Sequence, residues 1–173
     1  GVRNVNDLER LFIYLCLHSG GIVAVKTCAD ALGSLPATVS NHLEFLREAN
    51  LIYRVGPYKS SGKKVLKARY KIYLVDAALR NAVLLRGEQV LADPQEMGVM
   101  VETAVFRHLY AYHCRDAPET LYWRDAKSDK EVDIIVRSPS YTIPVEVKYR
   151  DSAPLPENAG LVAFCRREQP YHA

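Results

Sequence analysis

The chain has 173 residues, of which 49% are apolar, and its formal net charge is +3. This length suits one domain or two small ones, and the apolar content is that of a globular protein with a hydrophobic core. The small net charge indicates no particular partner. No apolar run approaches the roughly 18 residues of a membrane span, and we recognise no signal peptide, so we predict a cytoplasmic protein without a membrane partner. The opening Gly1 and the abrupt end suggest a fragment of a longer protein.

The cysteines are widely spaced and form no C-x-x-C pair. They stand in apolar or helical segments, so we predict reduced core thiols at Cys16, Cys28, Cys114 and Cys165. His108 and His113 have no second pair of residues at ligand spacing, and we expect no structural zinc.

Three short helices are predicted in the first part of the chain. Apolar residues recur at helical spacing over 6–18, over 25–32 and from about 34 to 50. Asn6 and Ser34 are the expected N-caps of the first and third helices, and Pro36 suits the first turn of the third. Asn50 suits a left-handed residue at the end of the third helix.

A strand at 51–55, a basic loop and a strand at 65–75 are predicted next. Residues 54–71 contain seven basic residues and no acidic one: Arg54, Lys59, Lys63, Lys64, Lys67, Arg69 and Lys71. Three helices followed by such a hairpin resemble a winged helix-turn-helix. The resemblance implies DNA as a partner, with the polar face of the third helix in the major groove and the loop on phosphates. The implied DNA contacts are Thr38, Ser40, Asn41, Lys59, Lys63, Lys64 and Lys67.

An alternative is that these elements only pack against a neighbouring domain, with their charges solvated. The basic loop also has some likeness to a phosphate-binding P-loop. However, five residues separate Gly56 from Gly62, and Lys64 stands where Ser or Thr is required. We therefore expect no nucleotide site in this sequence.

The second part of the chain begins with predicted helices at 76–85 and 94–113, separated by a loop at 87–93. Glu102 has Val105, Phe106 and Leu109 at i+3, i+4 and i+7, so its carboxylate lies on the core-facing stripe of the long helix. A functional site would explain this position. A boundary glutamate paired with Arg107 or with a strand lysine would explain it too.

Charged residues interrupt two predicted β-branched strands at 131–136 and 144–148, which follow a strand at 121–124. Glu146 and Lys148 are two apart and share a face, and Asp133 lies close to them on the neighbouring strand. Charges buried without partners are costly, and a hard divalent cation is one partner that removes this cost. A loop at 150–158 and one more strand at 161–165 are predicted to follow.

The pattern Asp133, then Glu146-x-Lys148, resembles the PD-(D/E)xK nuclease superfamily. The wider text also resembles the nuclease-like C-terminal domain, of unknown function, in a group of prokaryotic AAA+ ATPases. The segments concerned are V-E-T-A-V-F-R-H-L from Val101, L-Y-W-R-D from Leu121 and K-E-V-D-I-I-V from Lys130, and the resemblance covers about residues 51–164.

This resemblance implies an α/β (α+β) chain in three parts. A winged helix-turn-helix would occupy 1–75, and a linker helix and loop 76–93. A restriction-endonuclease-like domain with a mixed central sheet would occupy 94–173. Domains of this type usually continue further, so truncation at the C-terminus is left open.

The resemblance also implies chemistry at a metal ion. Asp133 and Glu146 would hold Mg²⁺ or Mn²⁺, Glu102 would complete the shell, and the main-chain carbonyl of Val147 would help. Lys148 would orient or deprotonate the attacking water. Glu131 is a weaker candidate for a spare ligand.

Two hypotheses follow. In the first, the chain is a metal-dependent DNA nuclease module of an AAA+ ATPase. In the second, it is a non-catalytic DNA- or protein-binding appendage whose acids are neutralised by lysine, with Glu146 paired to Lys148. The ATPase domain of the same parent chain is a partner in both, and an oligomer is left open.

Overall fold

A computed structural model describes residues 5–58, 69–125, 127–152, 154, 156–157 and 159–170. Its first part places a short strand between two helices and ends in a pair of strands. The elements are α1 (Val5–Leu17), β1 (Ile22–Val23), α2 (Val25–Leu32), α3 (Pro36–Glu48), β2 (Ile52–Pro57) and β3 (Tyr70–Leu74).

The second part of the chain alternates helices with three further strands. The elements are α4 (Ala77–Val83), a 3₁₀ helix (Glu88–Ala92), α5 (Pro94–His113), a second 3₁₀ helix (Cys114–Asp116), β4 (Glu119–Arg124), β5 (Glu131–Arg137), β6 (Thr142–Val145) and α6 (Gly160–Glu168).

All six of these strands belong to one sheet, in the order β1-β3-β2-β4-β5-β6. Strand β2 pairs with β4 in parallel, and the other neighbours are antiparallel. This confirms the predicted mixed α/β chain with a mixed sheet. The parallel pairing of Gly56 with Leu121 and of Pro57 with Tyr122 joins the strands of the two parts. The domain boundaries at 75 and 93 stay a prediction.

The first three helices pack around one core. Leu11 and Leu15 of α1 and Leu43 and Leu46 of α3 are almost fully buried, as their helical spacing predicts. Three residues separate α2 from α3, and Gly33 among them adopts φ 63°. Glycine takes this left-handed conformation without steric penalty, so α2 can end sharply there.

Two predicted helix caps are wrong. The N-cap residue of α3 is Leu35, which has no polar side-chain group, and the predicted cap Ser34 lies one residue earlier, where its hydroxyl donates to the Asp7 carboxylate at 3.2 Å. Asn6 lies inside the first turn of α1. The left-handed Asn50, with φ 54°, is confirmed.

The two faces of the second half of the sheet have different cores. Phe106 of α5 packs with Tyr73, Ile134 and Val136. Phe164 of α6 packs on the other side, with Trp123, Leu121, Val132 and Ile135. The long helix α5 has the predicted bounds, and its N-cap is Asp93, whose carboxylate accepts a hydrogen bond from the Gln95 amide at 2.8 Å.

Three predictions for the second part need correction. Residues 161–165 form part of helix α6 instead of a strand, because Leu161, Phe164 and Cys165 fall at i, i+3 and i+4 on its packed face. Residues 88–92 form a 3₁₀ helix where a loop was predicted. Strand β6 ends at Val145, so Glu146 and Lys148 lie just beyond it and not inside a strand.

All four cysteines are free, as predicted, but only Cys16 and Cys28 are buried. Cys114 is exposed and Cys165 is half-buried, so these two are not core thiols. Over the described ranges, no helix combines the length and the apolar character that a membrane crossing requires.

We expect Gly160→Ala to destabilise the protein by about 1–3 kcal/mol, the usual range for overpacking. A Cβ atom added at Gly160 would overlap the carbonyl oxygen of Glu131, so α6 would have to move away from β5. Gly98→Ala in α5 is the matched control. A Cβ there meets nothing within 4 Å, and alanine should stabilise the helix by up to about 1 kcal/mol. Urea unfolding of both variants checks this, and equal stabilities would contradict it.

Candidate functional site

The most heavily charged buried point in the described chain is the ammonium group of Lys71. Its side chain is only 2% exposed. Its Nζ lies 2.9 Å from Glu102 Oε1, 2.9 Å from Glu131 Oε1 and 3.1 Å from Asp133 Oδ1. We call these four residues the lysine–carboxylate cluster. Three carboxylates share this ammonium, and the exposed Arg124 reaches only Glu131, at 3.8 Å, so these charges sum to a negative value when all the groups are ionised.

Three elements position the lysine–carboxylate cluster. Lys71 projects from β3, where it pairs with Ile22 of β1 and Val55 of β2. Glu102 comes from α5, one turn before the buried Phe106. Glu131 and Asp133 come from β5.

An irregularity in β5 helps to place the two acids of that strand. Leu121 pairs with Ile135 but Trp123 pairs with Val132, so three steps along β5 match two along β4. The alternation of side chains between the two faces of the sheet is interrupted at this point. Val132 packs with Phe164 on one face, whereas Ile134, two residues further on, packs with Phe106 on the other. Such bulges re-aim side chains and often lie beside functional sites.

The Glu102 carboxylate has a second fixed partner. The Tyr73 hydroxyl donates to Glu102 Oε1 at 2.7 Å, and the Tyr73 ring stacks on Phe106 at 4.2 Å between centroids. A Cβ added at Gly20, which has φ 77°, would lie 3.3 Å from Glu102 Oε1. Glu102 is therefore paired with a strand lysine, one of the two alternatives to a metal site. Arg107 instead pairs with Asp76 at 2.8 Å.

Both oxygens of Asp133 are engaged. One faces Lys71, and the other accepts a hydrogen bond from the Val147 amide at 2.9 Å. Strands β5 and β6 are adjacent and antiparallel, with Ile134 paired to Val145, so Asp133 and Glu146 come from neighbouring chain segments as predicted.

Burial and charge act in opposite directions on the cluster. Burial raises the pKa of the Glu102 carboxyl above its ordinary value of 4.5, and Lys71 opposes this only in part. Burial alone would lower the pKa of Lys71, but the carboxylates of Glu102, Asp133 and Glu131 raise it above its usual range. The ammonium therefore stays protonated at every physiological pH. Burial, and then Glu102, raise the pKa of the Tyr73 hydroxyl.

Glu146 and Lys148 form a separate pair. Lys148 Nζ lies 2.5 Å from Glu146 Oε1, and both line a cavity of about 420 Å³ at the amino end of α6. Arg150 and Gly160 line the same cavity. Glu146 Oε2 is buried and has no hydrogen-bond partner among the described residues. The structure thus brings Glu102 and Asp133 together on Lys71, while Glu146 is neutralised by Lys148.

This arrangement does not fit a divalent metal held by Asp133, Glu146 and Glu102. The point on which the carboxylate oxygens of Glu102 and Asp133 converge is occupied by the Lys71 ammonium. In the part of the chain that the structure describes, no group of three or more His, Cys, Asp or Glu residues is arranged to hold an ion. Lys71 is not among the site residues predicted from the sequence, although a lysine between apolar residues of a strand is a usable signal.

The predicted DNA-contacting face of α3 is partly visible. Ser40 and Asn41 are exposed, and Thr38 is half-buried. Beside them Glu44 accepts hydrogen bonds from Arg47 and pairs with Arg54 at 3.4 Å. The four predicted loop contacts, Lys59, Lys63, Lys64 and Lys67, lie outside the described residues.

Two family models match the chain, and both describe domains of unknown function. Residues 1–90, just over half of the chain, match DUF8612. The chain belongs to the DUF8612 family. Residues 97–172 match DUF4143, a domain commonly found in C-terminal regions associated with AAA ATPases.

An uncharacterized protein of Haemophilus influenzae is similar over most of this DUF8612 family member. It is 27% identical over 164 residues, which cover 91% of this chain and 37% of the relative. The chain thus spans little more than a third of that relative's length. No solved structure matches the chain.

The lysine–carboxylate cluster joins the two matched regions. Lys71 and Tyr73 belong to the DUF8612 region, and the three carboxylates belong to the DUF4143 region. A buried hydrogen bond between the hydroxyls of Ser19 and Thr103, at 3.2 Å, also crosses between them. The cluster therefore has a structural role whatever its chemistry.

The raised pKa of Glu102 predicts how stability depends on pH. The folded state binds this proton more tightly than the unfolded state, whose pKa is near 4.5, so the contribution of Glu102 to the unfolding free energy falls as pH rises from about 4.5 through the folded-state pKa. Glu102→Gln removes this dependence.

The stability difference between wild type and Glu102→Gln should therefore decrease with pH and then level off. Urea unfolding from about pH 4 to about pH 8 measures it. A difference that grows with pH would mean that attraction to Lys71 outweighs burial at Glu102.

Proposed function

We propose that the chain is a DNA-binding, nuclease-like appendage of a larger ATPase-containing protein, and that it acts without cleaving DNA. The observation that carries the DNA-binding part is the exposed polar side of α3. This helix follows a three-residue turn with a left-handed glycine, and Ser40 and Asn41 on it face solvent. Helix-turn-helix proteins have such a turn and place the second helix in the major groove.

The order of elements supports the same proposal. The sequence α1-β1-α2-α3-β2-β3, with β1 paired to β3 and β3 to β2, is that expected of a winged helix-turn-helix. The hairpin β2–β3 flanks the basic loop. Arg54 of β2 stands 4.6 Å from the Tyr70 ring centroid and pairs with Glu44 of α3 at 3.4 Å, so its guanidinium lies next to α3.

Neutralised acids favour the non-catalytic form of the proposal. Glu102, Glu131 and Asp133 share Lys71, and Glu146 is bound to Lys148. In a nuclease of the type that the sequence resembles, Asp133 and Glu146 would instead both face a metal, and Lys148 would face the water. Metal-dependent cleavage stays an untested prediction.

The comparisons support a larger parent protein. The DUF4143 match is of a kind found in ATPase-associated C-terminal regions, and the Haemophilus relative is much longer than the matched part. An ATPase elsewhere in the parent is a partner in this proposal.

Binding to a duplex should weaken steeply with salt, because neutralised phosphates release counterions. Changing Lys59, Lys63 and Lys64 together to Ala should flatten the slope of log affinity against log salt by up to about three units. Fluorescence anisotropy with a labelled duplex measures this. Lys127→Ala, on the exposed turn between β4 and β5, is the control and should leave the slope unchanged. An unchanged slope in the triple variant would assign the loop to packing or to a protein partner.

Plasmid cleavage separates the two hypotheses. We expect the wild type to show no Mg²⁺- or Mn²⁺-dependent nicking above the level of Asp133→Asn. The duplex-binding assay run on the same samples shows that both proteins are folded and active in binding. Cleavage that requires Asp133 and Glu146 would overturn the non-catalytic proposal.

A further inference from the structure

We propose that Lys71 is the resident cation of the nuclease-like site: its ammonium occupies the carboxylate cluster and closes it to divalent metals. The inference concerns the site's occupant and does not depend on DNA binding. It accounts for the disagreement between a sequence that resembles a metal-dependent nuclease and a structure in which the acids surround a lysine.

The geometry of the ammonium carries the first step. An ammonium group has three donor hydrogens and no acceptor. Lys71 Nζ has three carboxylate partners on different side chains, at 2.9 Å, 2.9 Å and 3.1 Å, and it donates hydrogen bonds to Glu131 and Asp133. The lysine is thus held at the centre of the acids and not at their edge.

The second argument is the burial of the Lys71 side chain. With only 2% of its side chain exposed, Lys71 is closed off from solvent while it makes these contacts. A buried charge is tolerated only with close partners, so the ammonium cannot leave the acids without finding others. Hydrogen bonds from the Tyr73 hydroxyl to Glu102 and from the Val147 amide to Asp133 hold two of the acids in place around it.

The third argument is that a metal ion would compete with the ammonium for the same carboxylate oxygens. Mg²⁺ and Mn²⁺ take carboxylate oxygens, and Mg²⁺ sheds its water reluctantly. The tethered ammonium already holds the oxygens that such an ion would use, and it sits on a strand paired on both sides. A metal would therefore have to displace a buried, protonated side chain from its partners.

Mn²⁺ itself is the probe for this inference. We expect the wild type to show no site-specific Mn²⁺ binding at about millimolar concentration, a level at which an ion bound with a Kd of 1 mM would be half bound. Lys71→Met retains a similar length without the charge and should bind Mn²⁺ with a Kd at least about tenfold below that 1 mM limit. Its melting temperature should rise with Mn²⁺, because an ion that binds only the folded state stabilises it.

Two variants control the measurement. Lys127→Met removes an exposed lysine on the turn between β4 and β5, outside the cluster, and it should behave like the wild type. The double variant Lys71→Met with Asp133→Asn should lose the Mn²⁺ binding that Lys71→Met gained. Equal Mn²⁺ affinity in wild type and Lys71→Met would overturn the proposal, as would the absence of Mn²⁺ binding in folded Lys71→Met.

A measurement on the wild type keeps the proposal testable if Lys71→Met does not fold. Acetylation of lysines, read by mass spectrometry, should label Lys71 far more slowly than the exposed Lys127, with or without Mn²⁺. A Mn²⁺-dependent rise in Lys71 labelling would show that the ion displaces the ammonium and would overturn the closed site. Refolding of Lys71→Met only in the presence of Mn²⁺ would support the proposal.

Discussion

The need to neutralise three carboxylates at one buried point shapes the middle of this protein. Glu102, Glu131 and Asp133 come from a helix and a strand of the DUF4143 region, and their cation comes from a strand of the DUF8612 region. Removing one partner from a buried ion pair leaves an uncompensated charge and costs about 3–5 kcal/mol. Neither region can therefore bury this surface alone without replacing the missing partner by water or protons.

The packing around the lysine–carboxylate cluster reinforces this dependence. Tyr73 lies two residues from Lys71 on β3, stacks on Phe106 at an interplanar angle of 8° and donates to Glu102. Arg80 makes a second buried link: its Nε donates to the Cys16 carbonyl at 3.1 Å and its Nη2 to Glu96 at 3.0 Å. Arg80 thus ties α4 to both α1 and α5. Lys71 and Arg80 are therefore two buried cations, and each of them links the two parts of the chain.

Many of the helices and strands can be predicted from the sequence, because the spacing of apolar residues indicates the type of element. The predicted bounds of α2 and α5 match, since their stripes face cores on one side only. The wrong predictions have local causes. Helix α6 is short, and the spacing of its apolar residues fits a strand as well as a helix; the contact of Phe164 with Trp123 decides for the helix. Ser34 was a plausible cap, but a tertiary contact with Asp7 uses its hydroxyl.

The candidate site was harder to predict for a different reason. Glu102 and Asp133 do lie close together, but they surround the Lys71 ammonium, where the resemblance implies a metal ion. Their partner Lys71 is about 30–60 residues away in sequence and belongs to the basic stretch at 54–71, so the sequence does not distinguish it from the loop lysines. Charge sign alone cannot distinguish a lysine that meets DNA from one that meets carboxylates.

The burial of the neighbouring strand residues distinguishes Lys71 from a lysine that contacts DNA. Lys71 lies between Tyr70 and Ile72 on β3. These two residues and the following Tyr73 and Leu74 are all buried or half-buried. A lysine buried in such a strand needs acids, and the acids of the DUF4143 region need a cation. The same residue therefore satisfies both demands at once, and the nuclease-like motif and the buried lysine are two halves of one electrostatic constraint.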